Sequence, residues 1–191
     1  MKSLFIDKEI KYIGSQLSPH WIYKNFHILG DSIVSFIGET DVKITEMVDI
    51  EDVISNSPIY SKKMVSFIIE QFGISLSECV LRQRFLICII IEELRKVLGE
   101  KYKITRSGDD IFINVNGKER KLSVSIATQS TTSCLIHTGL NIDADGAPVD
   151  ACGLTSDLGI KDVKTFAQNI MKRYIEEDTE ILEATCKVRG V

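Results

Sequence analysis

At 191 residues the chain is long enough to bury a sizeable core and short enough for a single domain spanning 1–191. Hydrophobic residues make up 44% and charged residues 26%, which argues against a disordered or a membrane class. The net charge of −4 gives no electrostatic reason for non-specific nucleic-acid binding, which rests on Lys and Arg neutralising phosphates, so nucleic acid is not an expected partner.

The longest apolar run, residues 85–91, is seven residues and far too short to span a bilayer. The N-terminal MKSLFIDKEIKYIG lacks the apolar region of a signal peptide, so a cytoplasmic protein is expected. Five dispersed cysteines (Cys79, Cys88, Cys134, Cys152, Cys186) form no C-x-x-C pair and indicate neither a disulfide framework nor a zinc site. No other spacing meets a metal-ligand pattern, and no tightly bound transition metal is expected.

Residues 3–13 alternate loosely through Leu4, Ile6, Ile10 and Tyr12 and suggest a short pair of strands. Ser18-Pro19 has the pattern of an N-cap followed by proline at the first helical position, which predicts a helix to about Phe26. Residues 31–37 (DSIVSFI) read as a strand, and 38–59 is acidic and mixed, with Pro58 as a breaker. Residues 61–72, stopped by Gly73, read as a helix. A longer helix follows from about Cys79 to Leu98, between Ser77-Glu78 and Gly99; its middle is apolar nearly all round, as a buried central helix should be. A strand at 102–105 and another at 133–142 (SCLIHTGLNI) flank a hairpin, 162–177 is an amphipathic helix, and 182–188 reads as a final strand.

The hairpin, residues 106–127 (RSGDDIFINVNGKERKLSVSIA), carries the strongest local signal. Asn116-Gly117 suits a type I′ turn, which needs positive φ at both central positions. That turn sets Phe112 opposite Lys121 and Asp110 opposite Ser123. By alternation Asp110, Phe112, Lys121, Ser123 and Ser125 then share a polar face, and Ile111, Ile113, Leu122, Val124 and Ile126 an apolar one. Explicit antiparallel pairing among helices gives an α+β class, a largely antiparallel sheet packed against helices.

At this hairpin the chain resembles the catalytic core of the biotin and lipoate protein ligases. Biotin ligases carry Lys-Trp-Pro-Asn-Asp-Ile, a short loop, Lys-Leu-x-Gly-Ile-Leu, and then a strand reading Gly-Ile-Gly-Ile-Asn, all after a long buried helix. The corresponding segments here are RSGDDI at 106–111, KLSVSI at 121–126 and HTGLNI at 137–142. The separation of Asp110 from Lys121 is four residues longer than is usual in those ligases. An even insertion leaves each side chain on its face. Over its whole length the chain is similar to a family known as domain of unknown function 366, at GSQLSPHW, GDSIVSFIGE, LRQRFL and the hairpin.

The resemblance implies a biotin/lipoate ligase-like fold, shared with class II aminoacyl-tRNA synthetases, and roles for individual residues. Lys121 would stabilise an acyl carboxylate or the phosphate of an acyl-adenylate, as a compact charge on a flexible stem can. Asp110 would orient that lysine or take part in holding Mg²⁺ with nucleotide phosphates. His137, Gly139 and Asn141 share a strand face beside which the ligases place the nucleotide or acyl group. Ser123 and Ser125 would join the binding face, and His20 could present a ring nitrogen to a cleft.

The ligases also hold phosphate with a Gly- and Arg-rich segment before the long helix. This chain has no arginine before Arg82, which leaves Arg82 and Arg84 as the candidates for that role. Two expectations follow: a ligase or acyltransferase that uses ATP and Mg²⁺ on a small carboxylate, or a non-catalytic module of the same fold that binds a nucleotide or metabolite. Exposed strand edges in such a sheet also suit a homodimer.

Overall fold

The computed structural model describes residues 1–190. Its main sheet runs in the order β1 (Lys2–Ile6), β2 (Ser32–Val42), β3 (Ile59–Phe72), β8 (Ser133–Asp143), β7 (Ser123–Gln129), with every pair antiparallel except β1 and β2. A second sheet of three short antiparallel strands, β4 (Ile104–Ser107), β5 (Asp110–Val115) and β6 (Lys118–Lys121), stands beside it. The helices are α1 (Trp21–Phe26), α2 (Ile50–Ser55), α3 (Leu76–Leu98) and α4 (Val163–Cys186). The α+β architecture is as the sequence predicts; of the predicted hairpin, the turn and the pairing of Phe112 with Lys121 hold, but Asp110 pairs with Ser107 and residues 123–129 join the main sheet. Among the described residues no helix is long and apolar enough to cross a membrane.

The largest departure is residues 59–72, which form the central strand and not a helix. From Met64 to Gln71 every residue is buried, because β2 and β8 flank β3 and both faces are covered. A strand buried on both sides loses the alternation that would identify it, and a short apolar run then fits either period. Residues 182–188 also differ: α4 continues to Cys186, where good helix formers (Glu180, Glu183, Ala184) extend it past its last buried residue, Tyr174. Near the N-terminus only 2–6 forms a strand, Tyr12 making a single bridge to Thr40. The first helix starts at Trp21, preceded by His20 at φ 64°, and has no side-chain cap.

The two faces of the main sheet have different covers. Ile33, Val65, Phe67, Ile69, Ile136 and Leu140 pack with α3 and α4 into the larger core. On the opposite face Val34, Phe36 and Ile68 form a smaller cluster with Ile22 of α1 and Tyr12. The long helix α3 starts at Ser75, whose hydroxyl accepts the Glu78 N–H at 3.2 Å, and ends at Gly99 with φ 59°. Its buried residues Leu86, Ile87, Ile90 and Leu94 are the centre of the larger core.

Ile90 is completely buried. Truncation to alanine is expected to lower the unfolding free energy by about 2–5 kcal/mol, through lost burial and the cavity left behind. Urea denaturation with an unchanged slope would measure this, and a cost below about 1 kcal/mol would place Ile90 outside the tightly packed core.

A cleft around Lys121 as candidate functional site

On the sheet face away from α3 and α4, two adjoining cavities of about 270 and 110 Å³ share Asp52, Ile59, Lys121 and Val124 as common wall. The floor comes from β8 and β7, and one side from the hairpin. The segment that follows β2, with the single turn Ile44–Glu46 and α2, closes the other side.

The hairpin sets Lys121. Asn116 and Gly117 adopt φ values of 54° and 83°, and Phe112 pairs with Lys121 in the register the turn dictates. Lys121 Nζ lies 2.9 Å from Asp110 Oδ2, and both side chains are about a third exposed within the larger cavity. The backbone then leaves the hairpin. The Lys121 N–H donates to the Asp150 carbonyl, the Cys152 N–H donates to the Lys121 carbonyl, and the Asn141 N–H donates to the Leu122 carbonyl.

This crossing corrects one expectation. Leu122 and Ser123 are both fully buried, so alternation breaks where the chain passes from the small sheet to the large one, and β7 faces the opposite way from a simple continuation of the hairpin. Ser123 Oγ accepts the Ile111 N–H at 2.9 Å. Ser125 Oγ meets Gln83 Nε2 of α3 at 2.9 Å and Thr138 Oγ1 at 2.8 Å. The two hydroxyls are thereby tied to the hairpin and the helix, while Ser123 still borders the smaller cavity and Ser125 the larger, and Val124 and Ile126 turn their side chains toward the cleft.

On β8 the alternate residues His137, Gly139 and Asn141 face the cleft side, as expected from their spacing. A side chain at Gly139 would collide with Met64 Sδ, so glycine lets the β3 methionine lie flat across the floor. His137 lies beneath, 3% exposed, its ring stacked on Tyr12 with centroids 3.7 Å apart and Nε2 3.2 Å from Ser66 Oγ. Burial lowers its pKa to about 3, and it is neutral at physiological pH. Asn141 is 6% exposed, lines the smaller cavity, and has no hydrogen-bond partner for its side-chain amide among the described residues. Tyr12, 4% exposed in the wall of the larger cavity, likewise has a hydroxyl without a partner there, and burial raises its pKa.

The arginines are engaged elsewhere. Arg82 sits between Glu78 and Asp178 of α4, half-buried and outside the cleft. Arg84 Nη1 binds Asp109 Oδ1 at 2.9 Å, and Gln83 Nε2 donates to the other oxygen of Asp109 at 2.7 Å. Asp109, not Arg84, lines the cavity, and burial pushes its pKa up despite the arginine. His20 lies near the opposite end of β3 and β8, where its backbone N–H donates to Glu70 and its ring stacks on Phe72. Arg82 and His20 are therefore not part of the cleft.

Sequence reading missed two contributors. Tyr12 comes from the N-terminal segment, and the acidic residues Glu46, Asp49, Glu51 and Asp52 come from the stretch around α2; all line the larger cavity. Only the acidity of 38–59 hinted at them, and nothing local says which side of a sheet such a stretch will cover.

Comparison with known proteins agrees with this architecture. A family model described as a domain of unknown function, DUF366, matches residues 1–189. An uncharacterized protein of Methanocaldococcus jannaschii is 35% identical over 187 residues, 95% of this chain and 81% of the relative. A solved protein of unknown function from Pyrococcus horikoshi is 40% identical, with a TM-score of 0.89 over 100% of both chains. At the level of fold alone, the chain is similar to a mutant biotin protein ligase from Aquifex aeolicus in complex with biotin (13% identity, TM-score 0.61, 96% of this chain and 72% of that one). It is also similar to the bi-partite lipoate protein ligase of Thermoplasma acidophilum (12% identity, TM-score 0.53, 92% of this chain and 84% of that one).

The neutral His137 gives a pH signature. Its folded pKa of about 3 lies below the ordinary value of 6.5, so between these values the unfolded chain binds a proton that the folded chain does not. The histidine's contribution to stability is thus complete above 6.5 and is lost as pH falls toward 3. Between about pH 6 and pH 4 the wild type is expected to lose up to about 1.4 kcal/mol per pH unit more than His137→Gln. Stability profiles for the two proteins that run parallel across that range would show the histidine to be charged in the fold.

Proposed function

The chain belongs to the DUF366 family, and for it we propose that the cleft binds a small carboxylate, or an acyl group derived from one, in a ligase- or acyltransferase-like reaction. The observation that carries this reading is Lys121, fixed by Asp110 at 2.9 Å in the common wall of two cavities, the smaller of which is lined by Asn141 and by Met64 lying over Gly139. Lys121 would receive the carboxylate or the negative charge that develops on an acyl oxygen, with its position held by Asp110. Asn141 would donate to or accept from the part of the ligand that enters the smaller cavity. The ligand-bound neighbours support the reading at the level of fold: Aquifex aeolicus biotin protein ligase has been solved in complex with biotin and ATP, at 12% identity and a TM-score of 0.57 over 92% of this chain and 69% of that one.

The residues around Lys121 do not fit the phosphates of ATP. Six carboxylates (Glu46, Asp49, Glu51, Asp52, Asp109, Asp110) line the larger cavity with one lysine, and both candidate arginines are bound to carboxylates. Like charges at such a site oppose a polyphosphate. No adenylation step follows from this arrangement. The same observation favours the second reading, a metabolite-binding module that has kept the acyl site without the phosphate grip.

Calorimetric titration with a panel of small carboxylic acids tests both readings. At least one acid is expected to bind the wild type and to lose about 10–100-fold in affinity in Lys121→Ala, the size of a charge-assisted hydrogen bond. Equal binding by the two proteins would overturn both. Pyrophosphate release from Mg-ATP in the presence of the bound acid would assign the ligase; binding without release, and without transfer of an activated acyl group to an amine, would assign the module.

A further inference from the structure

The cleft carries an excess of negative charge that its own residues do not neutralise. Asp110 is paired with Lys121 and Asp109 with Arg84, but Glu46, Asp49, Glu51 and Asp52 form no salt bridge among the described residues. Asp49 caps α2 by accepting the Glu51 N–H at 2.8 Å, so part of its capacity is used. Asp52 has no such duty. It is half-buried, belongs to the wall of both cavities, and stands close enough to Asp49, Asp110, Glu51 and Lys121 for their charges to act on it. Burial first, and Asp49 second, raise its pKa, which is the response of a carboxylate that lacks a cation.

A ring of acids alone says little. Here it adjoins two buried residues, 4% and 6% exposed, whose polar ends reach the cavities and make no side-chain hydrogen bond among the described residues, the Tyr12 hydroxyl in the larger cavity and the Asn141 amide in the smaller. Both polar ends open into the cavities on otherwise buried residues, where they are free to take the hydrogen bonds of a ligand. No three carboxylate, histidine or cysteine side chains converge to chelate a metal ion among the described residues. A protonated amine needs no such convergence, since it donates hydrogen bonds to separate acceptors in several directions.

We infer that the ligand is an amine-bearing carboxylate, its ammonium held by Asp52 beside Tyr12 and its carboxylate by Lys121. This rests on the carboxylate reading of Lys121 and narrows the substrate class to small zwitterions. The arrangement separates opposite charges across one cleft, and each end of the ligand meets its complement. A plain acid of the same length would leave Asp52 unpaired and gain only one end.

Matched pairs test the inference: alanine with propionate, phenylalanine with 3-phenylpropionate, and 6-aminohexanoate with hexanoate, each titrated into the wild type and Asp52→Asn. In at least one pair the amine-bearing member is expected to bind about tenfold more tightly, the lower end for a charge-assisted hydrogen bond at a partly exposed site. Asp52→Asn is expected to erase that preference and to leave the plain acid's affinity equal or higher. Glu51→Gln, on an exposed side chain, should reduce the preference more mildly and serves if Asp52→Asn does not fold.

Plain acids binding as well as their amino partners, still dependent on Lys121, would overturn the zwitterion and leave the carboxylate site standing. Protection by Mg²⁺ alone that is lost in Asp52→Asn would also overturn it, assigning the acids to a cation. Absence of binding by every member of the panel would overturn the inference and the carboxylate site together.

Discussion

The structure turns on the backbone at Lys121–Leu122, where one peptide segment is tied to three others. It ends the hairpin through the Leu122 N–H to the Ile111 carbonyl, holds the loop at Asp150 and Cys152 through both groups of Lys121, and joins β8 through the Asn141 N–H. These bonds fix a lysine stem where the small sheet meets the large one. A flexible side chain on a rigid base keeps its charge in the cleft while its tip remains free to adjust. The same crossing breaks the alternation, and sends the Ser123 hydroxyl to β5, the Ser125 hydroxyl to α3 and two apolar side chains to the cleft.

How much of this is legible in the sequence follows from the range over which each signal acts. The turn at Asn116-Gly117, the register to Lys121, the long helix and the shared face of His137, Gly139 and Asn141 are all set by neighbours within a few residues. Residues 59–72 mislead because their strand character comes from β2 and β8 on either side, and burial of both faces removes the periodicity that would report it. The polarity of Ser123 and Ser125 is plain from their identity but their direction is not, since one bend at Leu122 reverses every side chain after it. Arg82 and Arg84 illustrate the opposite limit: the sequence offers them as phosphate ligands, and only packing against Asp178 and Asp109 shows that their charges are already matched.

Electrostatics distinguish this cleft from what its fold would suggest. In a site built for a polyphosphate the fixed charges are positive, whereas here acids dominate and the lone lysine is bonded to one of them. The neutral, buried His137 adds no charge. It acts as a flat support, stacked beneath Tyr12 and anchored to Ser66, and it keeps the N-terminal segment against the sheet.

Tyr12, Asp52, Asp110, Lys121 and His137, which together wall the larger cavity, come from points spread along most of the chain. Contacts of long sequence separation each carry the entropy cost of closing the intervening loop. The ion pair of Asp110 and Lys121 closes within one local hairpin, whereas bringing Tyr12 and Asp52 to it closes loops across much of the chain. The wall of the cavity is thus a property of the whole fold and of no single segment.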